Sequence, residues 1–313
     1  MGTPEFAVPT LDLLVREGYD VAAVVTVPDK PAGRGQQQKQ SAVKKYALDH
    51  GLKILQPSNL KDPNWISELV SLNANLQVVV AFRMLPEAVW QMPSLGTFNL
   101  HASLLPQYRG AAPINWAVIN GEEETGLTTF FLQHEIDTGS VLFQEKISIS
   151  PDETAGELHD RMMLAGAALV QKTLRSIEDG NYTLKPQAEM LPGSPLKPAP
   201  KLTKETGRLR KELSGKQAYN LVRGLSPYPA AVAEIQEDVT NRILSFKVFK
   251  ASYAPEAEEH QPGEVQSDGK TFLKIFFNDG SLLLNEIQAA GKSRMPVKDF
   301  LNGFKFSGKW SLA

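Results

Sequence analysis

Apolar positions along this chain change period several times, and each change marks an element. VPTLDLLVRE, residues 8–17, puts Leu11, Leu14 and Val15 on one face and predicts a helix. DVAAVVTV, 20–27, is a continuous apolar run ending at Pro28, the pattern of a buried strand in a parallel sheet. PDKPAGRG, 28–35, reads as a loop. SAVKKYALDHG, 41–51, predicts a helix with Ser41 as N-cap and Gly51 as its stop. KILQP is a short strand, NWISELVSL a helix, LQVVVAF (76–82) a second buried strand, and GTFNLHAS, from Gly96, a third. AAPINWAVING, 111–121, predicts a helix closed by Asn120-Gly121, and GLTTFFL (126–132) and VLFQEKISIS (141–150) are strands. From Thr154 the residues Leu158, Met162, Ala165, Leu169 and Thr173 recur every three or four places, which predicts a long amphipathic helix closing near Gly180.

Strands alternating with helices, several strands being apolar throughout, imply an α/β fold: a doubly wound, mainly parallel, Rossmann-like sheet. Ligands of such sheets bind beyond the carboxyl ends of the strands. The character changes at LKPQAEMLPGSPLKPAPK, 184–201, whose five prolines read as a linker. Beyond it, KVFK, TFLKIFF and SLLLNEI are short strands broken by SDG and NDG turns, led by a helix around Gly215 to Gly224. A small, OB-like β-barrel is the expected closure. The expected division is an α/β domain over 1–183, a linker over 184–205 and a β-barrel domain over 206–313.

A length of 313 residues suits two domains, and 42% apolar with 22% charged residues is ordinary for a globular protein. The net charge of −2 and a pI near 6.3 mean that contact with nucleic acid requires a local basic patch. The absence of cysteine excludes disulfides, thiolate zinc sites and cysteine nucleophiles, and fits a reducing compartment. No apolar run approaches the ~20 residues of a membrane span. MGTPEFAVPT has neither the basic region nor the apolar core of a signal peptide, so the cytoplasm is the expected location.

The chemistry concentrates in NLHASLLPQYRGAAPINW, 99–116. Side chains alternate along a strand, so Asn99 and His101 share one face. An isolated N-x-H is most simply the polar face of an edge strand. Here apolar strands flank it, and it runs into a Gly/Pro-rich loop, where α/β proteins place ligands. HEIDTG, 134–139, offers Asp137 before a turn, and VVVAFRMLP, 78–86, ends a strand in a loop with an aromatic residue and an arginine. His134 is tempting as a second base, although a partly exposed strand-end histidine is the simpler reading. Arg109 suits either an anion or the bracing of its loop. The five histidines show no metal-ligand spacing, and no metal is expected.

NLHASLLPQYRGAAPINWAVING followed by IDTG resembles the folate-dependent formyltransferases. GTPEFAVP and PDKPAGRG are similar to the branch of that family that acts on aminoacylated tRNA, and PAPKLTKE and SPYPAA extend the likeness over nearly the whole chain. The resemblance implies transfer of a formyl group from 10-formyltetrahydrofolate, as co-substrate, to the α-amino group of methionine on initiator tRNA. It puts the catalytic trio on Asn99, His101 and Asp137. It puts formyl-folate contacts on Ser103, Leu104, Leu105 and Pro106, and the pterin ring among Phe82, Arg83, Met84, Leu85 and Ile136. It also implies that Asp137 orients a proton-relaying water.

Elementary chemistry agrees with that assignment. An α-amino group titrates near ~8, so much of it is a neutral amine that needs no strong base. The demand is for donors to the tetrahedral oxyanion and a proton for the departing N10. Asn99 supplies an amide N–H, and His101 can be held protonated by the Asp137 carboxylate.

For the tRNA, the loop 28–40 holds Lys30, Arg34 and Lys39, and the resemblance makes it the insertion that wedges into the acceptor end, with Arg34 the first contact expected. Residues 201–223 carry Lys201, Lys204, Arg208, Arg210, Lys211, Lys216 and Arg223 against Glu205 and Glu212, a local excess of five positive charges. A solvated helix face and an RNA-backbone stripe both fit that pattern. A monomer with no membrane contact is expected.

The chain departs from the family at its start. Family members carry an apolar first strand before GTPEFA, whereas this chain opens Met1-Gly2-Thr3, so that strand is expected to be missing and the true start to lie upstream. Three other readings compete: a formyl-folate enzyme acting on a glycinamide ribotide, a nucleotide sugar or water; a nucleotide-binding dehydrogenase; and a non-catalytic tRNA-binding protein. The first leaves PDKPAGRG and the basic C-terminal part unexplained. The second lacks a G-x-G-x-x-G after any predicted strand. The third gives Asn99, His101 and Asp137 no reason to converge.

Overall fold

The computed structural model describes residues 1–32, 37–191, 193, 195–255, 260–304, 306 and 308–313. They form two compact units. Met1–Gly110, Thr125–Ile147 and His159–Pro198 make the first, and Ala111–Glu124, Ser148–Leu158 and Ala199–Ala313 the second.

In chain order the elements up to the barrel are α1 (Val8–Arg16), β1 (Val24–Val25), β2 (Lys30–Ala32), β3 (Gln37–Lys39), α2 (Ala42–Asp49), β4 (Ile54–Leu55), α3 (Pro63–Ser71), β5 (Gln77–Val80), α4 (Glu87–Trp90), β6 (Thr97–His101), α5 (Pro113–Ile119), β7 (Glu124–Phe131), β8 (Val141–Ser148) and α6 (Ala155–Glu178). The sequence signals act as expected at several ends. The Ser41 hydroxyl accepts the Lys44 N–H at 3.0 Å, and Gly51 stops the helix with a left-handed φ of 64°.

β1 pairs in parallel with β4, and β5 in parallel with β6 from Gln77↔Thr97 to Val80↔Leu100. β6 pairs antiparallel with β7, and β8 lies beyond it, so the parallel sheet carries an antiparallel side. Val25, Leu55, Trp65, Leu69, Val79, Leu85 and Val89 form one apolar cluster of this unit. α6 lies against β6 and β7: the hydroxyls of Thr129 and Thr173 meet at 2.8 Å. A Cβ at Gly166 would stand 2.7 Å from Leu100 Cδ2, so the close approach of helix and strand needs glycine there.

Two expectations change. The first strand is not wholly missing. Met1 and Gly2 run between β1 and β5: Gly2 N–H donates to Val25 O (3.0 Å), Val80 N–H to Met1 O (2.9 Å) and the Met1 amine to Val78 O (2.7 Å). Burial pushes that amine down to about 5. A cavity of about 570 Å³ lies beside this short pairing, lined in part by Leu11, Val24, Val78 and Leu174. Nor is 28–40 a loop throughout. β2 and β3 pair as an antiparallel hairpin with Lys30 opposite Lys39.

The Pro-rich segment is pinned rather than loose where it is described. Lys185 exchanges two backbone hydrogen bonds with Val141 (2.9 and 3.0 Å), a short 3-10 turn covers Gln187–Met190, and Lys197 O accepts the Tyr108 N–H at 2.7 Å. Residues 111–124 and 148–158, expected with the N-terminal domain, group with the C-terminal unit. The reason lies in α5. Asn115 Nδ2 donates to Gly224 O (2.8 Å) and Trp116 Nε1 to Pro200 O (2.7 Å).

The second unit continues with α7 (Gly215–Leu225), β9 (Ala231–Glu237), β10 (Ile243–Ala254), β11 (Glu264–Ser267), β12 (Leu273–Phe277), β13 (Gly280–Ala289), β14 (Met295–Pro296), α8 (Val297–Asn302) and β15 (Trp310–Leu312). Pairing runs β10-β9-β15-β11-β12-β13 and returns from β13 to β10, a closed six-stranded barrel with β14 added to β13. Closure removes the exposed sheet edges. Ala218, Leu221, Val222 and Leu225 of α7 pack with Ile235, Phe246, Leu282, Ile287 and Trp310. The N-terminus of α7 carries a reciprocal capping box between Ser214 and Gln217. Ser214→Ala is expected to lower stability by about 1 kcal/mol, read as an earlier midpoint in urea at unchanged slope.

Candidate active site

β6 brings the central pair to the site. Asn99 is half-buried, opposite Val79 of β5 and Phe130 of β7, and His101 ends the strand at 7% exposure, opposite Thr128. Flanking strands on both sides make β6 internal, which disfavours the edge-strand reading. His101 Nε2 lies 2.9 Å from the Tyr108 carbonyl oxygen. A carbonyl only accepts, so Nε2 carries the proton and Nδ1 is left for the site. Nδ1 stands 3.9 Å from Asp137 Oδ2. That separation exceeds hydrogen-bond reach, so the two groups face each other without a direct bond.

Asp137 is held from two directions. Its Oδ2 accepts the Gly110 N–H at 3.0 Å, and its backbone carbonyl accepts Gln187 Nε2 at 2.9 Å. Its φ of 54° is left-handed, as is that of Tyr108 at 58° and Ala81 at 47°. Non-glycine residues held in that region collect at functional sites. Behind Asp137, a Cβ at Gly139 would lie 1.7 Å from the Phe131 carbonyl oxygen, so the turn admits glycine alone.

The expected folate residues fall into two groups. Ser103, Leu105 and Pro106 are buried and Leu104 is partly exposed. Ser103 Oγ donates to Gln107 O (2.6 Å), and Thr128 Oγ1 donates to Ser103 O (2.6 Å) while accepting the Leu105 N–H (3.1 Å). This segment is therefore a braced rim, whose side chains are mostly committed inward. Met84 (74% exposed) and Ile136 (61%) are open apolar side chains, Phe82 is half-buried and Leu85 buried. Arg83 is turned away to the carbonyls of Pro57 (2.7 Å) and Ser58 (3.2 Å). Exposed apolar side chains such as Met84 and Ile136 are of the kind that meets the flat face of a heteroaromatic ligand.

His134 pairs with Glu87 at 3.0 Å and meets Trp90 edge-on at 5.7 Å, the partly exposed position that its simpler reading describes. Arg109 braces a loop: Nε and Nη2 both donate to Gln187 Oε1. Sequence reasoning missed Gln187, which sits inside the Pro-rich run. Its signal is a lone amide immediately after Pro186, among residues with no apolar period.

Of the tRNA candidates, Lys30 and Lys39 are exposed and side by side on the hairpin, and Arg34 lies outside the described residues. Lys201, Lys204 and Lys211 are exposed. Arg208 is paired with Glu234, and Arg210 with Glu205 at 3.4 Å. The segment 201–213 is turns rather than helix, so its charges do not form a helix face. Among the described residues, no cluster of three or more His, Asp or Glu is placed to hold a metal ion, and no helix is long and apolar enough to cross a membrane.

Comparison with known proteins gives a consistent result. A family model described as formyl transferase matches residues 1–174, and one described as formyl transferase, C-terminal domain, matches 201–305. A methionyl-tRNA formyltransferase of Flavobacterium johnsoniae is 52% identical over 307 residues, covering 98% of this chain and 96% of the relative. One from Bacteroides fragilis is 51% identical over 304 residues, covering 97% and 94%. Among solved structures, WlaRD, a sugar 3N-formyl transferase crystallised in the presence of dTDP and 5-N-formyl-THF, superimposes with a TM-score of 0.66 at 19% identity, over 93% of this chain and 97% of that one.

Proposed function

The chain belongs to the formyl transferase family, and on that premise we propose that Asn99, His101 and Asp137 carry its reaction. The enzyme transfers the formyl group of 10-formyltetrahydrofolate to the α-amino group of methionyl-initiator-tRNA, a reading supported by relatives named methionyl-tRNA formyltransferase. The observation that supports the assignment is the approach of His101 Nδ1 to Asp137 Oδ2 at 3.9 Å, with Nε2 already given to Tyr108.

The neutral amine attacks the formyl carbon, a C–N bond forms, and the carbonyl oxygen takes up negative charge. The Asn99 amide N–H and a proton on His101 Nδ1 stabilise that oxygen. The Asp137 carboxylate, 3.9 Å from Nδ1, offsets positive charge that develops there during the reaction. As the intermediate collapses, the bond to N10 of the folate breaks. The proton lost by the attacking nitrogen passes to N10 through a water oriented by Asp137, which balances the exchange. Met84, Ile136 and Phe82 cover the pterin face, with Leu85 behind them. The backbone of Ser103–Pro106 frames the formyl group. Arg83 serves the shape of that loop through its bonds to Pro57 and Ser58.

In the same reading the tRNA lies against two basic surfaces, one with Lys30 and Lys39 on the β2–β3 strands, and one with Lys201, Lys204, Arg208, Arg210 and Lys211 ahead of the barrel, and Arg34, between Lys30 and Lys39 in sequence, is a further expected contact. Charge reversal of Lys204 and Arg210 together is expected to weaken tRNA binding and to flatten its salt dependence by about two in the log–log slope. An unchanged slope in filter-binding titrations removes this surface from the account. The enzyme acts in the cytoplasm as a monomer, the latter tested by light scattering at working concentrations.

The assignment of the acceptor is tested by incubation with formyl-tetrahydrofolate and charged initiator tRNA, with glycinamide ribotide in a parallel reaction. Formyl-methionine on the tRNA is expected. Formylation of the ribotide in its place overturns the reading.

A further inference from the structure

We propose that Gln187 is a positioning residue that sets the place of Asp137 against His101. The proposal rests on the catalytic reading above. Gln187 is 3% exposed and opens the short turn Gln187–Met190. Its Oε1 accepts from Arg109 Nε (3.1 Å) and Nη2 (2.6 Å), and its Nε2 donates to the carbonyls of Asp137 and Gly139, each at 2.9 Å. A primary amide offers two N–H groups and an oxygen with two lone pairs, and all four are used. A buried, fully satisfied amide is a specific joint: an apolar replacement leaves buried polar groups unpaired, and a carboxylate faces two carbonyl oxygens with no hydrogen to give.

The four bonds join the two loops that meet at the site. Arg109 precedes Gly110, whose N–H holds the Asp137 carboxylate. Asp137 and Gly139 bracket the turn whose first residue is at a left-handed φ of 54°. A non-glycine residue stays there when its surroundings over-determine it. Gln187 fixes the backbone of Asp137, and Gly110 fixes its side chain. Together they set the 3.9 Å separation from His101 Nδ1. Gln187 touches neither imidazole nor carboxylate, so it acts through Asp137.

The test is steady-state formyl transfer by the full chain carrying Gln187→Met, with Asp137→Asn and Met190→Ala in parallel. Met190 lies on the same turn and packs against the apolar cluster of Leu105, Phe130 and Val141, so its truncation loosens the turn without removing a polar bond. Gln187→Met is expected to lower kcat about 10- to 100-fold with little change in KM for the folate. Gln187→Glu keeps the bonds from Arg109 and loses both donated ones. It is expected to show the same loss, and it replaces the Met variant if that does not fold. Wild-type kcat in the Gln187 variants, or an equal loss in Met190→Ala at matched thermal stability, overturns the proposal. If Asp137→Asn is inactive and the Gln187 variants are not, the positioning role alone is lost. If Asp137→Asn is as fast as wild type, the catalytic reading falls and takes this proposal with it.

Discussion

His101→Ala is expected to lower the turnover number for formyl transfer by at least about 10²- to 10³-fold while the protein remains folded. The size follows from what the side chain does. In the proposed reaction the formyl oxygen acquires negative charge, and each pre-placed donor carries a large share of its stabilisation. Nε2 is committed to the Tyr108 carbonyl at 2.9 Å, which holds the imidazole, and Nδ1 is the nitrogen that the proposed reaction would meet. Loss of that buried bond destabilises the protein by about 1–3 kcal/mol, within what a domain of ordinary stability tolerates. Circular dichroism and a thermal melt separate this modest loss from the catalytic one. Turnover near that of the wild type contradicts the role of His101.

Asp137→Asn is expected to be nearly inactive, with a loss of about 10²- to 10⁴-fold. The replacement keeps the shape and can still accept the Gly110 N–H through Oδ1. The same oxygen faces His101 Nδ1 at 3.9 Å, so the amide oxygen keeps that place as well while the negative charge is gone. The substitution removes the charge in a nearly unchanged cavity. Single-turnover rates near pH 7 read the effect without interference from product release. Retained activity near pH 7 means that the carboxylate has no electrostatic role.

Much of the N-terminal unit could be read from local pattern, because its signals are local. Ser41 caps its helix, Gly51 stops it, and continuous apolar runs become β1 and β5. The alternation that places Asn99 and His101 on one face is a property of any strand. What stayed hidden depends on partners remote in the chain. Gln187 is invisible because prolines on either side of it read as unstructured spacer, while its role comes from Arg109, Asp137 and Gly139. The Lys30–Lys39 hairpin was hidden by Pro31 and the glycines that follow, which suppress strand patterning. The grouping of α5 with the barrel unit is set by contacts at Gly224 and Pro200, which no periodicity in 113–119 announces. The pairing of Met1 and Gly2 rests on backbone groups alone, which composition does not record.

The central claim is that the imidazole and the carboxylate act as one unit on the transferring formyl group. The most direct measurement is a double-mutant cycle in the single-turnover rate of formyl transfer to methionyl-initiator-tRNA, using His101→Ala, Asp137→Asn and the two together. Groups that act as a unit are strongly non-additive, so the double variant should be no slower than the worse single one. Losses that multiply in the double variant would show two independent contributions and contradict the account.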